Sequence, residues 1–195
     1  MNKFYPDPNY TQPPEHQRGM SSIAGTEQLR SNLMQLFKKY SIHSLFDAGC
    51  NDCAWSYLIA AQIDYKGTDI NQKMIDDAKL LRPELDITCS DIRVDPMPIV
   101  DCVLIRDVTI HFNTKEKKQV LENFKKSQSV WLLITHIPYC NKNEELPNLH
   151  PIDTVDVNWQ LPPWNFPPPR DVVYEYGADG RCLALWHKEQ IENLI

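Results

Sequence analysis

The sequence predicts an α/β fold: a mainly parallel, seven-stranded sheet with helices on both faces, finished by a carboxyl-terminal antiparallel hairpin. Three observations predict it. Short apolar runs alternate with amphipathic helical stretches from Thr26 to Ile137, the pattern of strand–helix–strand units. One run, Val100-Asp-Cys-Val-Leu-Ile-Arg106, is nearly all apolar, as a strand covered on both faces must be. Near the end, Gly177-Ala-Asp-Gly180 separates two strand-like runs, which is a hairpin signature.

Taken in order, residues 1–25 carry prolines at 6, 8, 13 and 14 without a regular period. They read as a loose arm, and 26–195 as one domain. With Thr26 as N-cap, Leu29, Leu33, Leu36, Phe37 and Tyr40 share one helical face. Residues 44–48 read as a strand, 53–62 as a helix and 65–69 as a second strand. Asn71 caps a helix in which Met74, Ile75, Ala78 and Leu81 lie on one side, and Pro83 ends it. Residues 85–90 and 100–106 are the third and fourth strands. Thr114 opens a helix with Val120, Leu121 and Phe124 inward, while Lys115, Lys117 and Lys118 read as a solvated face. Residues 130–137 form the fifth strand.

The pattern then breaks. Between Pro138 and Arg170 lie seven of the 15 prolines, with Trp159, Trp164 and Phe166. So long an irregular segment is usually functional or disordered; its aromatics argue for ordered packing, on the acceptor side of a site. Those three rings suit either stacking on a flat acceptor or core packing. His136 and His150 read as strand-end or loop residues. Residues 171–176 and 182–187 then pair as the closing hairpin.

A chain of 195 residues has room for about one domain. Twenty basic residues against 26 acidic ones give a net charge of -6, which counts against non-specific nucleic-acid binding. No apolar run approaches the roughly 20 residues of a membrane span, and residues 1–14 are too polar for a signal peptide. The six cysteines are scattered through apolar stretches and read as free thiols in a reducing compartment. Cys50-x-x-Cys53 has the spacing of a redox or zinc pair, but no second pair accompanies it, and no metal is expected.

Chemistry concentrates at the strand tips. In Leu45-Phe46-Asp47-Ala48-Gly49-Cys50-Asn51 an acid closes a strand and a glycine turn follows. Gly49 permits a tight turn. Twenty residues later Asp69 ends the second strand, where a carboxylate can bind both hydroxyls of a ribose. Asp91 and Arg106-Asp107 mark the third and fourth tips. Together these make a ligand crevice. A dinucleotide site wants G-x-G-x-x-G, but Asn51 stands at the second glycine and Asp47 would repel a pyrophosphate. S-adenosylmethionine carries a sulfonium and an ammonium instead, which suit Asp47.

From about Gly19 onward the chain resembles small class I S-adenosylmethionine-dependent methyltransferases, of the kind often encoded beside glycosyltransferases. The resemblance rests on Gly25-Thr26, Phe46-Asp47-Ala48-Gly49-Cys50, Tyr65-Lys66-Gly67-Thr68-Asp69, Asp91-Ile92, Asp95-Pro96-x-Pro98 and Arg106-Asp107-Val108-x-x-His111. Asn123-Phe124-Lys125-x-Ser127, Pro162-x-x-Asn165-Phe166-Pro167 and Leu183-Ala184-Leu185-Trp186 continue it, and these late motifs are the most family-specific. The family's turn resembles D-x-G-C-G-D-W; Asn51 and Cys53 depart from it, and Asn is a residue that tolerates left-handed backbone.

The resemblance implies a Rossmann-like methyltransferase fold and an enzyme that O-methylates a sugar or glycan hydroxyl, leaving S-adenosylhomocysteine. It implies Asp47, Gly49 and Asn51 at the methionine part of the cofactor, Asp69 at the ribose, and Asp91 and Ile92 at the adenine, with Ile70 also among the cofactor-binding residues. Ser21, Ser22 and Thr26 would close the arm over it. Arg106 would bind a cofactor or substrate oxygen, or pair with an acid. His111 is the candidate base, with Asp107 as its orienter or the alternative base; a helix-capping histidine is the plain reading. The implied partners are a small-molecule or glycan acceptor and a glycosyltransferase, in the cytoplasm, or the host's for a viral chain. An N-methyltransferase of a small amine and a cofactor-binding accessory domain without turnover are the other readings.

Overall fold

The computed structural model of the protein describes residues 19–145, 154–175 and 180–195. The first helix, α1 (Glu27–Lys39), precedes β1 (Ser44–Ala48), α2 (Tyr57–Ala60) and β2 (Asp64–Asp69). Next come α3 (Gln72–Leu81), β3 (Ile87–Cys89), β4 (Cys102–Ile105) and α4 (Thr114–Lys126). The chain ends through β5 (Trp131–His136), β6 (Asp171–Tyr174), β7 (Cys182–His187) and α5 (Lys188–Ile191). The strand order is β3-β2-β1-β4-β5-β7-β6. Pairings from β3 through β5 are parallel, whereas β7 runs antiparallel to both β5 and β6. The fold is therefore the predicted one, with the sheet left open.

Strand period sorts the side chains into two cores. Val103, Ile105, Leu132, Ile134, Ala184 and Trp186 face Val120, Leu121 and Phe124 of α4. Cys102, Leu104, Leu133, Leu183 and Leu185 share the opposite core with Leu29, Leu33 and Phe37 of α1, Ile59 of α2 and Ile75 of α3. Successive residues of one strand point to opposite faces, so a strand covered on both sides has no polar alternation to show. Val173 of edge strand β6 joins the α1 side.

Trp159, Trp164 and Phe166 lie in the α4-side core. Phe166 stacks on Trp159 at 5.7 Å and meets Trp186 edge-on at 5.4 Å. The Trp159 indole donates to Thr135 O at 2.9 Å and the Trp186 indole to Pro167 O at 2.8 Å. These rings fasten the proline segment to the sheet and have no face left for an acceptor. His136 is buried too; its Nδ1 accepts from Trp159 N at 3.3 Å.

Several local expectations need correcting. The helix expected over 53–62 shrinks to α2, because Cys53 sits at φ 55, outside helical space. Thr26 precedes α1 without a side-chain cap; its hydroxyl donates to Ser22 O and Ile23 O instead. Leu81 stays 70% exposed at the end of α3. Lys117 is buried rather than solvated, its Nζ donating to Phe112 O at 2.5 Å, and burial pulls its pKa down to about 8. The cap of α4 is Asn113, in a reciprocal box with Glu116, so His111 is not the capping residue. Residues 1–18, most of the 177–180 turn, and His150 lie outside the described residues. No described helix is long and apolar enough to cross a membrane.

Candidate cofactor and acceptor site

The strand order reverses between β1 and β4, the switch point beside which open α/β sheets take their ligands. The turn after β1 lies at this point. Gly49 adopts φ 105, and a Cβ there would lie 2.2 Å from Val108 Cγ2, so only glycine fits. The amides of Gly49 and Cys50 both donate to Thr68 O at 2.8 Å, tying the turn to β2. Asn51 takes the left-handed conformation, φ 55. Its backbone N–H donates to Asp69 Oδ2 at 3.0 Å, and Asn71 N donates to Asp69 Oδ1 at 2.9 Å. Asp69 therefore clasps the turn of β1 to the tip of β2. Burial raises its pKa, while the amides of Asn71 and Asn51 work against that rise.

Beneath the turn, Asp47 is 2% exposed and accepts from the Tyr65 hydroxyl at 2.7 Å. Burial pushes its pKa up to about 6, despite the opposing effects of Tyr65, Ser56 and the Arg106 charge. At the third tip, Arg93 grips Asp91 through Nε at 2.8 Å and Nη2 at 2.6 Å, and reaches Glu116 Oε1 at 2.7 Å. Burial alone would raise the Asp91 pKa; Arg93 more than offsets it, and the net shift is downward. Ile92 is buried beside it, its carbonyl accepting from Asn123 Nδ2 at 2.9 Å. Ile70 is half-buried, directly after Asp69.

On the β4 side, the Arg106 guanidinium is buried and fully engaged. It donates to Glu175 through Nε at 2.9 Å and Nη2 at 2.8 Å, to Met20 O at 3.1 Å and to Ser21 Oγ at 3.3 Å. Of the two roles open to Arg106, the structure displays the pairing with an acid. It also brings the segment around Met20 against the carboxyl end of β4. Ser22 and Thr26 shape that segment, with Ser22 Oγ donating to Gly19 O at 2.8 Å and Thr26 Oγ1 to Ser22 O at 2.7 Å.

Asp107 sits at φ 56 just beyond Arg106. Its carboxylate pairs with Arg181 at 3.1 Å and lies 3.7 Å from Arg106, with Thr135 Oγ1 at 3.4 Å. From Val108 the chain coils through a 3₁₀ turn, Thr109–His111, placing His111 half-buried at its end. Two arginines thus engage the Asp107 carboxylate.

Sequence reasoning missed Tyr65, Arg93, Glu175 and Arg181. Glu175 follows β6 and Arg181 precedes β7, outside the motifs themselves, and they become neighbours of Arg106 and Asp107 only because β7 inserts beside β5. Tyr65 stands inside a quoted motif, but nothing in the sequence shows which way its hydroxyl turns.

No family model matches the sequence, and no curated protein matches it significantly. Solved structures do match. DesVI from Streptomyces venezuelae aligns at a TM-score of 0.51 and 15% identity, over 60% of this chain and 52% of its own. Magnesium protoporphyrin IX methyltransferase (ChlM) from Synechocystis PCC 6803, solved with bound SAH, aligns at 0.51 and 21% identity, over 70% and 64%. SAM-bound CalS10, an amino pentose methyltransferase from Micromonospora echinaspora, aligns at 0.51 and 15% identity, over 65% and 57%. The chain has the Rossmann-like fold of these proteins, two of which are methyltransferases. It spans between half and two thirds of the length of each of the three.

Proposed function

We propose that the protein is an S-adenosylmethionine-dependent methyltransferase that O-methylates a sugar or glycan hydroxyl. One observation carries the cofactor reading: Asp69 clasps the 49–51 turn at the switch point of the sheet, with Asp47 beneath it. This donor set suits a cation. Two carboxylates stand at the turn, and the nearby Arg106 is neutralised by Glu175, so a pyrophosphate would meet net repulsion. Asp69 has lone pairs to accept the two ribose hydroxyls, Asp47 supplies counter-charge, and Ile70 and Ile92 offer apolar contact. When bound, the cofactor supplies an electrophilic methyl group. His111 would hold the proton that leaves the acceptor hydroxyl.

Two things support the sugar part: the late motifs shared with methyltransferases encoded beside glycosyltransferases, and the amino pentose in the name of CalS10. A glycosyltransferase partner and a reducing cytoplasmic setting belong to the same proposal. Methylation of an amine is the second reading. The Arg181–Asp107 pair favours it, since a neutral amine needs no base.

The test is titration with S-adenosylhomocysteine, followed by methyl transfer from labelled cofactor to sugars, glycans and amino sugars. Binding with turnover on a hydroxyl supports the proposal. Turnover only on amines overturns the O-methyl part, binding without turnover favours an accessory role, and failure to bind overturns the cofactor assignment.

A further inference from the structure

The Tyr65 hydroxyl sits where three elements meet. It donates to Asp47 Oδ2 at 2.7 Å, lies 3.0 Å from Ser56 Oγ and 3.8 Å from Cys53 Sγ. Tyr65 is 6% exposed, Cys53 fully buried and Ser56 1% exposed, so water does not compete for these bonds. The space is tight: a Cβ on Gly67 would lie 3.0 Å from the Tyr65 hydroxyl, 3.1 Å from Cys50 Sγ and 2.9 Å from Ile87 Cγ2. Gly67 thus leaves the room that the hydroxyl occupies.

A carboxylate without water is costly to keep charged. The groups around Asp47 are Tyr65 and Asp69 from β2, Cys50, Cys53 and Ser56 from the turn and its continuation, and Arg106 from the end of β4. Arg106 is the one cation among them, and Glu175 already balances it. Hydrogen bonding to the charged form is what remains to keep Asp47 ionised.

We propose that Tyr65 is a positioning residue, whose buried hydroxyl holds Asp47 as a carboxylate under the glycine turn so that it can counter the charge of a cationic cofactor. The inference rests on the proposed cofactor. It makes binding pH-dependent in a specific way. Burial and its neighbours set Asp47 at about 6. A bound cation favours the charged form, so the affinity is full above that value and weakens as pH falls through it. Removing the Tyr65 hydroxyl takes away stabilisation of the charged form alone. The midpoint should move up by about one pH unit or more.

The experiment measures S-adenosylmethionine affinity by titration calorimetry from pH 5.0 to 7.5, for wild type, Tyr65→Phe and Asp47→Asn. Circular dichroism tests whether each is folded. The wild type should lose affinity below pH 6, by up to about tenfold per pH unit. Tyr65→Phe should bind several-fold more weakly at pH 6.5 and approach wild type at pH 7.5. Asp47→Asn should bind weakly and without this pH dependence. A Tyr65→Phe profile parallel to wild type, weaker by one factor throughout, overturns the inference while leaving the cofactor reading intact. If Tyr65→Phe does not fold, the comparison of wild type with Asp47→Asn decides: the same midpoint in both overturns it. Absence of binding by the wild type at any pH overturns the cofactor reading and the inference with it.

Discussion

Asp69 is both a structural clasp and the proposed ribose acceptor, and substitution separates the two. Asp69→Ala removes a carboxylate that is 8% exposed and accepts from Asn51 N at 3.0 Å and Asn71 N at 2.9 Å. Losing the ribose bonds should cost about 2–4 kcal/mol of binding, or about 30- to 700-fold in Kd. Two backbone amides also lose their acceptor. At about 1 kcal/mol each, the melting temperature should fall by about 4–8 °C for a chain of this size. Asp69→Asn keeps the shape, but its amide oxygen can serve only one of the two N–H groups. It should fall between alanine and wild type in both measurements. Titration with S-adenosylhomocysteine at a temperature where all three proteins are folded gives Kd, and thermal unfolding gives the stability. If Kd stays within twofold of wild type while the melting temperature drops, Asp69 only holds the turn and the ribose assignment is wrong.

Other perturbations probe the rest of the molecule. Glu175→Ala removes the acid hydrogen-bonded to the Arg106 guanidinium, 8% exposed, and leaves it Asp107 at 3.7 Å; urea denaturation should record a loss of about 3–5 kcal/mol, and a loss under about 1 kcal/mol would mean the pair behaves like a surface one. His111→Ala should lower kcat by about 10²–10⁴-fold with cofactor Kd unchanged; full activity would make the histidine structural and favour an amine acceptor. His136 is buried, and burial pulls its pKa down from 6.5 to about 4. The unfolded chain therefore takes up the proton first, and stability is lost as pH falls from 6.5 to 4. His136→Leu should flatten that part of the stability curve by up to about 3 kcal/mol, and an unchanged slope would show that the ring is protonated in place.

The sequence by itself determined the sheet. Apolar runs such as Cys102–Ile105 and residues 132–134 are strands because nothing polar in them could face water, and the glycine after Asp47 marks a tight turn. Local chemistry also set Asn71 as a cap, since a side chain bonding two residues ahead needs no tertiary partner. Tertiary structure decided what local chemistry cannot encode. Helix period made Lys117 look solvated, yet the Phe112 carbonyl waits for its ammonium inside the fold. Trp159, Trp164 and Phe166 were ambiguous between acceptor and core until the sheet face beneath them was in view. Arg106 met Glu175, and Asp107 met Arg181, because the last hairpin inserts its strand beside β5. Whether a buried charge is tolerated depends on partners distant in sequence, and only the packed chain brings those together.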